Sequence, residues 1–262
     1  MIRVVRAEWL KLRTTAVPWV LTGIAVLALG LTILGLFLQK PDFNQSSNAG
    51  YIVPHTTQQL NNLAGAGLSF GYLFALLLGV LCITTEFRHK TVTTAFLVTP
   101  NRPVFVVGKL ILAALAGAAL AVVLLVATLT GGGLALVARG GSFSSLLHQV
   151  PSVAPGMILV MALFGILGVG VGSLLTNQVA AIVTVLGWFI IGQTILVGLV
   201  NGAARWVPTG AASAAANVSQ GHRDGAASFQ LFNWWQGTLL MLAYGLVFAV
   251  IGSAVLTQRD IS

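Results

Sequence analysis

Charged side chains that could contact a soluble partner are concentrated in two stretches of an otherwise apolar sequence. Residues 84–90 read Thr-Thr-Glu-Phe-Arg-His-Lys and follow a long hydrophobic run. The N-terminal segment carries further cations, namely Arg3, Arg6, Lys11 and Arg13. Between Arg139 and Arg205 there is no Lys, Arg, Asp or Glu. Because charged groups are costly to bury in lipid, these two stretches are expected to stay in water, where they can meet a soluble partner.

The chemistry available to these side chains is binding, since the sets needed for catalysis or metal binding are missing from the sequence. Cys82 is the one cysteine, and the four histidines lack the spacing of metal ligands. There is no His-Glu-x-x-His motif and no phosphate-binding Gly-x-x-x-x-Gly-Lys-Ser/Thr loop, because Gly108 and Lys109 are followed by Leu110. We therefore expect no metal, no cofactor and no ATPase site on this chain.

The overall composition is that of a membrane protein. Of 262 residues, 57% are hydrophobic and 7% are charged, whereas a soluble domain has about 25% charged residues. The net charge of +8 could indicate nucleic-acid binding in a soluble protein. In an apolar chain, basic residues flank membrane spans on the cytoplasmic side, so we expect a lipid environment and no nucleic-acid partner.

Long hydrophobic runs predict an all-α, polytopic membrane protein with a single transmembrane domain over residues 1–262. A membrane-spanning helix needs about 20 apolar residues. Six runs meet this requirement, at residues 17–38, 63–85, 110–136, 155–176, 179–200 and 235–258. No ionisable residue lies in the middle of any of them, which argues against proton- or sodium-coupled transport.

The distribution of Lys and Arg predicts that both termini are cytoplasmic. With six spans, one side of the membrane carries Arg3, Arg6, Lys11, Arg13, Arg88, Lys90, Arg102, Lys109 and Arg259. The other side carries only Lys40, Arg139, Arg205 and Arg223. The positive-inside rule assigns the richer side to the cytoplasm. Trp206, Trp234 and Trp235 then fall at the outer interface, which indole rings favour.

Residues 1–15 have the pattern of a helix lying in the cytoplasmic interface. Apolar side chains recur at helical spacing at Ile2, Val5, Trp9 and Leu12, with the cations on the other faces. Such a helix would hold Trp9 at headgroup depth and its cations at lipid phosphates. A plain basic anchor before the first span is the alternative. We read the segment as retained, because its apolar run exceeds that of a signal peptide.

Glycines in the fourth predicted span leave two packing alternatives open. Gly168 and Gly172 have the four-residue spacing that allows close helix approach. They could form a dimer interface, or they could pack helices within one subunit.

Four stretches resemble the membrane subunit of a type 2 ABC exporter in its actinobacterial-like six-span form. Residues 8–15, Glu-Trp-Leu-Lys-Leu-Arg-Thr-Thr, are similar to the family's N-terminal opening, and residues 83–91 to its Thr-x-Glu-(Phe/Tyr)-Arg stretch. Residues 99–102, Thr-Pro-Asn-Arg, followed by Gly-Lys at 108–109, are similar to its return into the third span. Residues 258–261 resemble its Arg-Asp ending.

The resemblance implies a role for each charged stretch. Residues 86–105 would contain a coupling helix that docks on a cytoplasmic ABC ATPase, using Glu86, Phe87, Arg88 and Thr91. In that role Glu86 and Arg88 face polar groups of the ATPase or of a neighbouring cytoplasmic helix, and Phe87 fills an apolar pocket there. The cytoplasmic interface helix would contribute Glu8, Trp9, Lys11 and Arg13. Residues 201–234 would form an external hairpin.

The resemblance also implies an assembly and a function. Two permease copies, or this chain and a paralogue, would sit in the bacterial cell membrane over two ATPases that hold ATP and Mg²⁺. The assembly would export a hydrophobic or amphipathic substrate such as a drug, an antibiotic or a lipid-like molecule. Two alternatives stay open: a permease for immunity to peptide antibiotics, and a non-transporting scaffold that recruits a soluble partner through the same loop.

Overall fold

The computed structural model describes residues 14–38, 57–88, 102–175, 177–200, 202–216, 218 and 232–258. The predicted interface helix at 1–15 lies almost wholly outside these residues. Residues 89–101 of the predicted coupling loop also lie outside them, as do residues 219–231 of the predicted hairpin.

The described residues are helical, and no strand occurs among them. The longer helices are α1 (Ala16–Leu38), α2 (Thr57–Ala64), α3 (Leu68–Arg88), α4 (Arg102–Ala138), α5 (Phe143–Leu147), α6 (Val150–Leu174) and α7 (Gln178–Gly187). A π-helical segment (Trp188–Gly192) joins α7 to α8 (Gln193–Leu199), and a 3₁₀ turn (Ala203–Arg205), α9 (Pro208–Ala215) and α10 (Trp234–Gln258) follow. This confirms the all-α prediction for the described part of the chain.

Among the residues that the structure describes, five helical segments are long and apolar enough to cross a membrane. They are Ala16–Gly35, Leu60–Arg88, Val106–Ala138, Val150–Leu174 and Gln178–Leu199. These segments correspond to the first five predicted spans, and α10 occupies the sixth predicted run. The architecture is that of a polytopic helical membrane protein.

The third and fourth predicted spans begin after the starts of the helices that contain them, α4 and α6. Helix α4 begins at Arg102 rather than at residue 110, and α6 begins at Val150 rather than at residue 155. Pro103 and Pro151 lie in the first turns of these helices. Proline is tolerated there because the first N–H groups of a helix have no intrahelical acceptor. The helices therefore extend beyond the apolar runs that predicted them.

Helix α6 is the centre of the fold and is contacted through its small residues. A Cβ atom at Gly168 would overlap the carbonyl oxygen of Leu76 on α3, and one at Gly165 would overlap the carbonyl oxygen of Ala113 on α4. A Cβ atom at Gly170 would lie 2.6 Å from the Cβ atom of Phe248 on α10. Three helices thus approach α6 at backbone distance, as small residues permit in membranes.

The glycine pair with four-residue spacing is used for packing inside the subunit. Gly168 lies against Leu76, and a Cβ atom at Gly172 would lie 2.7 Å from Ile83 Cγ2 and 3.0 Å from the Val80 carbonyl oxygen. Of the two alternatives that the sequence left open, the structure shows the packing of α6 against α3 of the same chain.

The order of contacts gives the helix directions. Along α6, Met157, Met161 and Gly168 meet α3 near Gly67, Gly71 and Gly79 respectively. Helices α3 and α6 therefore run parallel. Residues 117 and 113 of α4 meet residues 161 and 165 of α6, so α4 runs antiparallel to both. The starts of α4 and α7 consequently share one end of the bundle with the end of α3.

The described part of the predicted external hairpin is folded onto the opposite end of the bundle. Ala211, Ala212 and Ala215 of α9 are buried. A Cβ atom at Gly156 would overlap the Ala215 carbonyl oxygen, and one at Gly237 would lie 2.6 Å from the Ala211 carbonyl oxygen. This segment closes the space between the first turns of α6 and α10.

Candidate functional site

The charged end of the bundle contains a buried ion pair between consecutive helices. Lys109 Nζ lies 2.7 Å from Glu86 Oε1, and the two side chains are 2% and 7% exposed. Lys109 Nζ also donates to the Cys82 carbonyl oxygen at 3.2 Å. Charge-assisted hydrogen bonds are stronger than neutral ones, and a buried pair requires such additional partners to offset its desolvation. Lys109 therefore joins α4 to two successive turns of α3.

Phe87 packs into the subunit beside this ion pair. A small apolar cluster lies here, formed by buried Ile83, Val106, Ala113 and Val169, with Cys82, Phe87 and Leu110 packed against it. The cluster combines side chains from α3, α4 and α6. Phe87 thus fills an apolar site formed by its own chain.

Arg88 is the charged residue of α3 that lies at the surface. Its Nη1 atom donates to Gln178 Oε1 at 3.3 Å, which links the end of α3 to the start of α7. The preceding residue, Asn177, caps α7, because its side-chain oxygen accepts from the backbone N–H groups of Val179 and Ala180 at 2.9 and 3.3 Å. This end of the bundle therefore brings together α3, α4 and α7.

The structure separates the residues predicted to dock an ATPase. Glu86 is buried against Lys109, and Phe87, which is partly buried, packs against the apolar cluster of its own subunit. Arg88 is exposed. Thr91, and with it Glu8, Trp9, Lys11 and Arg13 of the predicted interface helix, lie outside the described residues. The docking contacts predicted for this end remain predictions.

From the sequence, Lys109 counted toward the topology and belonged to the stretch that resembles the family's return into the third span, but it was not predicted as a site residue. The signal that could have found it is the pairing of opposite charges at facing ends of consecutive spans, Glu86 closing one and Lys109 opening the next. The apolar run starting at Leu110 suggested that Lys109 lay outside the helix. The earlier start of α4 places it inside instead.

In the described part of the chain, at least two depressions on the bundle surface are lined mainly by apolar side chains. One, of about 520 Å³, runs between α1 and α4. It is lined by Val26, Leu29, Gly30, Ile33, Leu34, Ala127, Thr130, Gly131, Leu134, Ala135 and Ala138. The hydroxyl of Thr130, its one polar side chain, donates to the carbonyl oxygens of Val126 and Ala127. A second, of about 420 Å³, lies near Trp234 and Thr238 at the opposite end from Glu86.

Metal chemistry has no visible basis in the described ranges. They contain no group of three or more His, Cys, Asp or Glu side chains that could hold a metal ion. At the charged end, Lys109 bonds to Glu86 and to the Cys82 carbonyl oxygen, and Arg88 bonds to Gln178, so these side chains can fix the ends of α3, α4 and α7 relative to one another.

The class defined by these observations is a polytopic helical membrane protein in which the charged side chains of Glu86, Arg88 and Lys109 lie near helix ends. Compared with protein-family models and with curated proteins, the sequence matches none.

Proposed function

We propose that the chain is the membrane-spanning subunit of an ATP-driven exporter, which a cytoplasmic ATPase binds at the Glu86 end. The carrying observation is the locked geometry of that end. The Glu86–Lys109 pair joins α3 to α4, and both helices lie at backbone distance from α6. Force applied to this end would therefore act on the centre of the bundle.

The distribution of charge supports an external energy source. The apolar runs have no ionisable residue in their middle, and the sequence lacks a phosphate-binding loop. Ion-coupled transporters require charged groups inside their spans, and ATP-driven ones require a nucleotide site. Work must then be supplied by another subunit, with ATP and Mg²⁺ held there.

The character of the surface supports a hydrophobic or amphipathic substrate. The α1–α4 groove is apolar, and its one hydroxyl, that of Thr130, is bonded to the backbone. A charged ligand would find no counter-charge along this groove. Drugs, antibiotics and lipid-like molecules have the required chemistry.

The proposal includes six spans, with α10 as the sixth, both termini in the cytoplasm, and pairing with a second permease copy or a paralogue in a bacterial cell membrane. Cysteine labelling tests the topology. Asn44→Cys and Gln220→Cys, each in a Cys82→Ser background, should react with a membrane-impermeant maleimide added outside intact cells. Labelling of either position only after the cells are opened would contradict the topology.

Purification and reconstitution test the function. Chain purified from native membranes in mild detergent should bring an ABC ATPase with it, and proteoliposomes of that complex should move a hydrophobic dye only with ATP and Mg²⁺. The chain freed of other subunits should hydrolyse no ATP. A soluble partner without ATPase activity would favour the scaffold alternative, and transport confined to a peptide antibiotic would favour the immunity permease.

A further inference from the structure

Lys109 is buried in a way that a topology signal does not require. Its side chain is 2% exposed and lies in the second turn of α4. The positive-inside rule acts through cations in loops and at span ends, which stay hydrated. Arg88, exposed and bonded to Gln178, meets that description. Lys109 does not, so topology alone leaves its burial unexplained.

Burial of the pair costs desolvation of two charges, which well-packed apolar residues would avoid. The pair instead fixes the orientation of α3 relative to α4. The Lys109 ammonium reaches Glu86 Oε1 and the Cys82 carbonyl oxygen, one turn apart on α3. Two hydrogen bonds from one group to two points on a helix fix both its rotation and its axial position. An apolar contact at the same place would permit sliding.

The position of the pair connects this constraint to the centre of the fold. Ile83, one turn before Phe87, packs with Val106 and Ala113 of α4 and Val169 of α6. The same Ile83 lies against Gly172 of α6. The ends of α3 and α4 that the ion pair joins therefore rest on α6 without an intervening layer.

We propose that Lys109 is a positioning residue for energy coupling: it holds the ends of α3 and α4 as one rigid unit, so that displacement by the ATPase is passed to α6. This inference rests on the proposed function. It predicts that loss of the pair separates ATP hydrolysis from transport, whereas a residue needed only for folding would lower both together.

The experiment compares variants of the complete complex in proteoliposomes. Lys109→Met and Glu86→Gln each remove the charge pair, and the reversed pair Glu86→Lys/Lys109→Glu restores it. Gln193→Met is the control, because it removes a hydrogen bond between helices, from Gln193 to Thr209, away from the end where the ATPase binds. For each variant, membrane level, bound ATPase, hydrolysis rate and dye transport are measured, and the readout is dye moved per ATP hydrolysed.

The expected result is that Lys109→Met and Glu86→Gln bind the ATPase and hydrolyse ATP, while transport per ATP falls roughly tenfold, within the range of about 5–150-fold that couplings between sites span. The reversed pair should recover part of the ratio, because it restores the opposite charges but not the hydrogen bond to the Cys82 carbonyl oxygen, and Gln193→Met should keep the ratio. If Lys109→Met does not accumulate, Glu86→Gln and the reversed pair decide.

Two failures are distinguishable. Wild-type chain that binds no ATPase and transports nothing overturns the proposed function, and this inference with it. A wild-type complex that transports, beside single variants that keep the wild-type ratio or a reversed pair that stays uncoupled, overturns the positioning role alone.

Discussion

Helix α6 and the helix that follows it are joined by residues 175–177 and are similarly apolar, yet their surroundings are opposite. The mean hydropathy is 2.4 for Val150–Leu174 and 2.1 for Gln178–Leu199. In the most apolar 18 residues of each segment, however, 67% of the residues are buried in the first and 11% in the second. Hydropathy therefore indicates that a helix lies in the membrane, whereas small residues indicate which helix is packed against its neighbours. Gly165, Gly168 and Gly172 of α6 face neighbouring backbones, but added Cβ atoms at Gly187 and Gly198 would meet nothing within 4 Å.

The difference follows from the physics of lipid. Hydrocarbon tails are as apolar as leucine, so burying an apolar side chain against another helix brings little transfer energy, and close packing has to hold the helices together. Around α6 the glycines allow this packing. Along α7 and α8, side chains such as Val179, Ile190 and Leu199 are exposed, and lipid can cover them without loss.

The largest expected effect comes from removing an aromatic side chain at the packed centre. Phe164 is fully buried, with ring centroids 5.2 Å from Tyr72 and 5.9 Å from Phe189. Phe164→Ala should lower the free energy of unfolding by about 3 kcal/mol, the low end of the usual range for such cavities, since lipid reduces the transfer term. Thermal unfolding in detergent, followed by size-exclusion chromatography, measures the loss.

Phe70→Ala is the matched control for this change. Phe70 lies on α3 and is 52% exposed, so its removal opens no internal cavity. We expect a change below about 0.5 kcal/mol, as for most surface substitutions. Equal destabilisation by the two variants would contradict the distinction between centre and periphery.

A smaller effect should follow from adding one methyl group to α6. Gly168→Ala places a Cβ atom against the backbone of α3, and overpacking of this kind costs about 1–3 kcal/mol. The comparison variant is Gly187→Ala, where the methyl group meets open space. There the higher helix propensity of alanine, worth up to about 1 kcal/mol, should leave stability unchanged or raised. A destabilising Gly187→Ala would show that the face of α7 that carries Gly187 is packed, as the positions of Ala181 and Val185 already are.

Sequence alone predicted the helical class and the approximate helices because spans depend on local hydropathy, which a single segment carries. It misplaced the starts of α4 and α6, since proline in a first turn leaves no trace in hydropathy. The packing of Gly168 against Leu76 could not be chosen over a dimer contact, because the spacing of small residues does not specify the partner. That choice depends on contacts between segments about 90 residues apart.

The candidate site divides in the same way. The sequence indicated that residues 86–90 are unusual, since they are charged in an apolar chain. It did not indicate that the Glu86 side chain is buried. Glu86 is buried because α4 begins before Lys109, which places the Lys109 side chain against Glu86. Each residue turns an α-helix by about 100°, so Glu86 and Arg88, two residues apart, point in directions about 200° apart and have different surroundings.

The hydrogen bond between α8 and α9 should contribute less to stability than the packing around α6 does. Gln193 Nε2 of α8 donates to Thr209 Oγ1 of α9. A double-mutant cycle with Gln193→Met and Thr209→Val should give a coupling of about 0.6 kcal/mol, and no more than about 1.7, as found for hydrogen bonds between membrane helices. A coupling near zero would show that α8 is held by lipid and the chain connection alone.

A similarly small effect is expected at the end of the bundle that α9 covers, where an exposed cation lies near two aromatic rings. The guanidinium carbon of Arg205 is 5.8 Å from the ring centroids of Trp206 and Phe232, and those rings meet edge to face at 5.1 Å. Cation–π contacts at exposed sites contribute about 0.5–1 kcal/mol, so Arg205→Gln should lower stability by that amount and Arg205→Lys by less. The backbone of Trp206 is already held, because its carbonyl oxygen accepts from the Tyr244 hydroxyl on α10. The segment that contains the 3₁₀ turn and α9 therefore does not depend on Arg205 for its position. If Arg205→Gln lowered the free energy of unfolding as much as Phe164→Ala does, the segment that contains the 3₁₀ turn and α9, rather than the glycine-packed centre, would control the stability of the bundle.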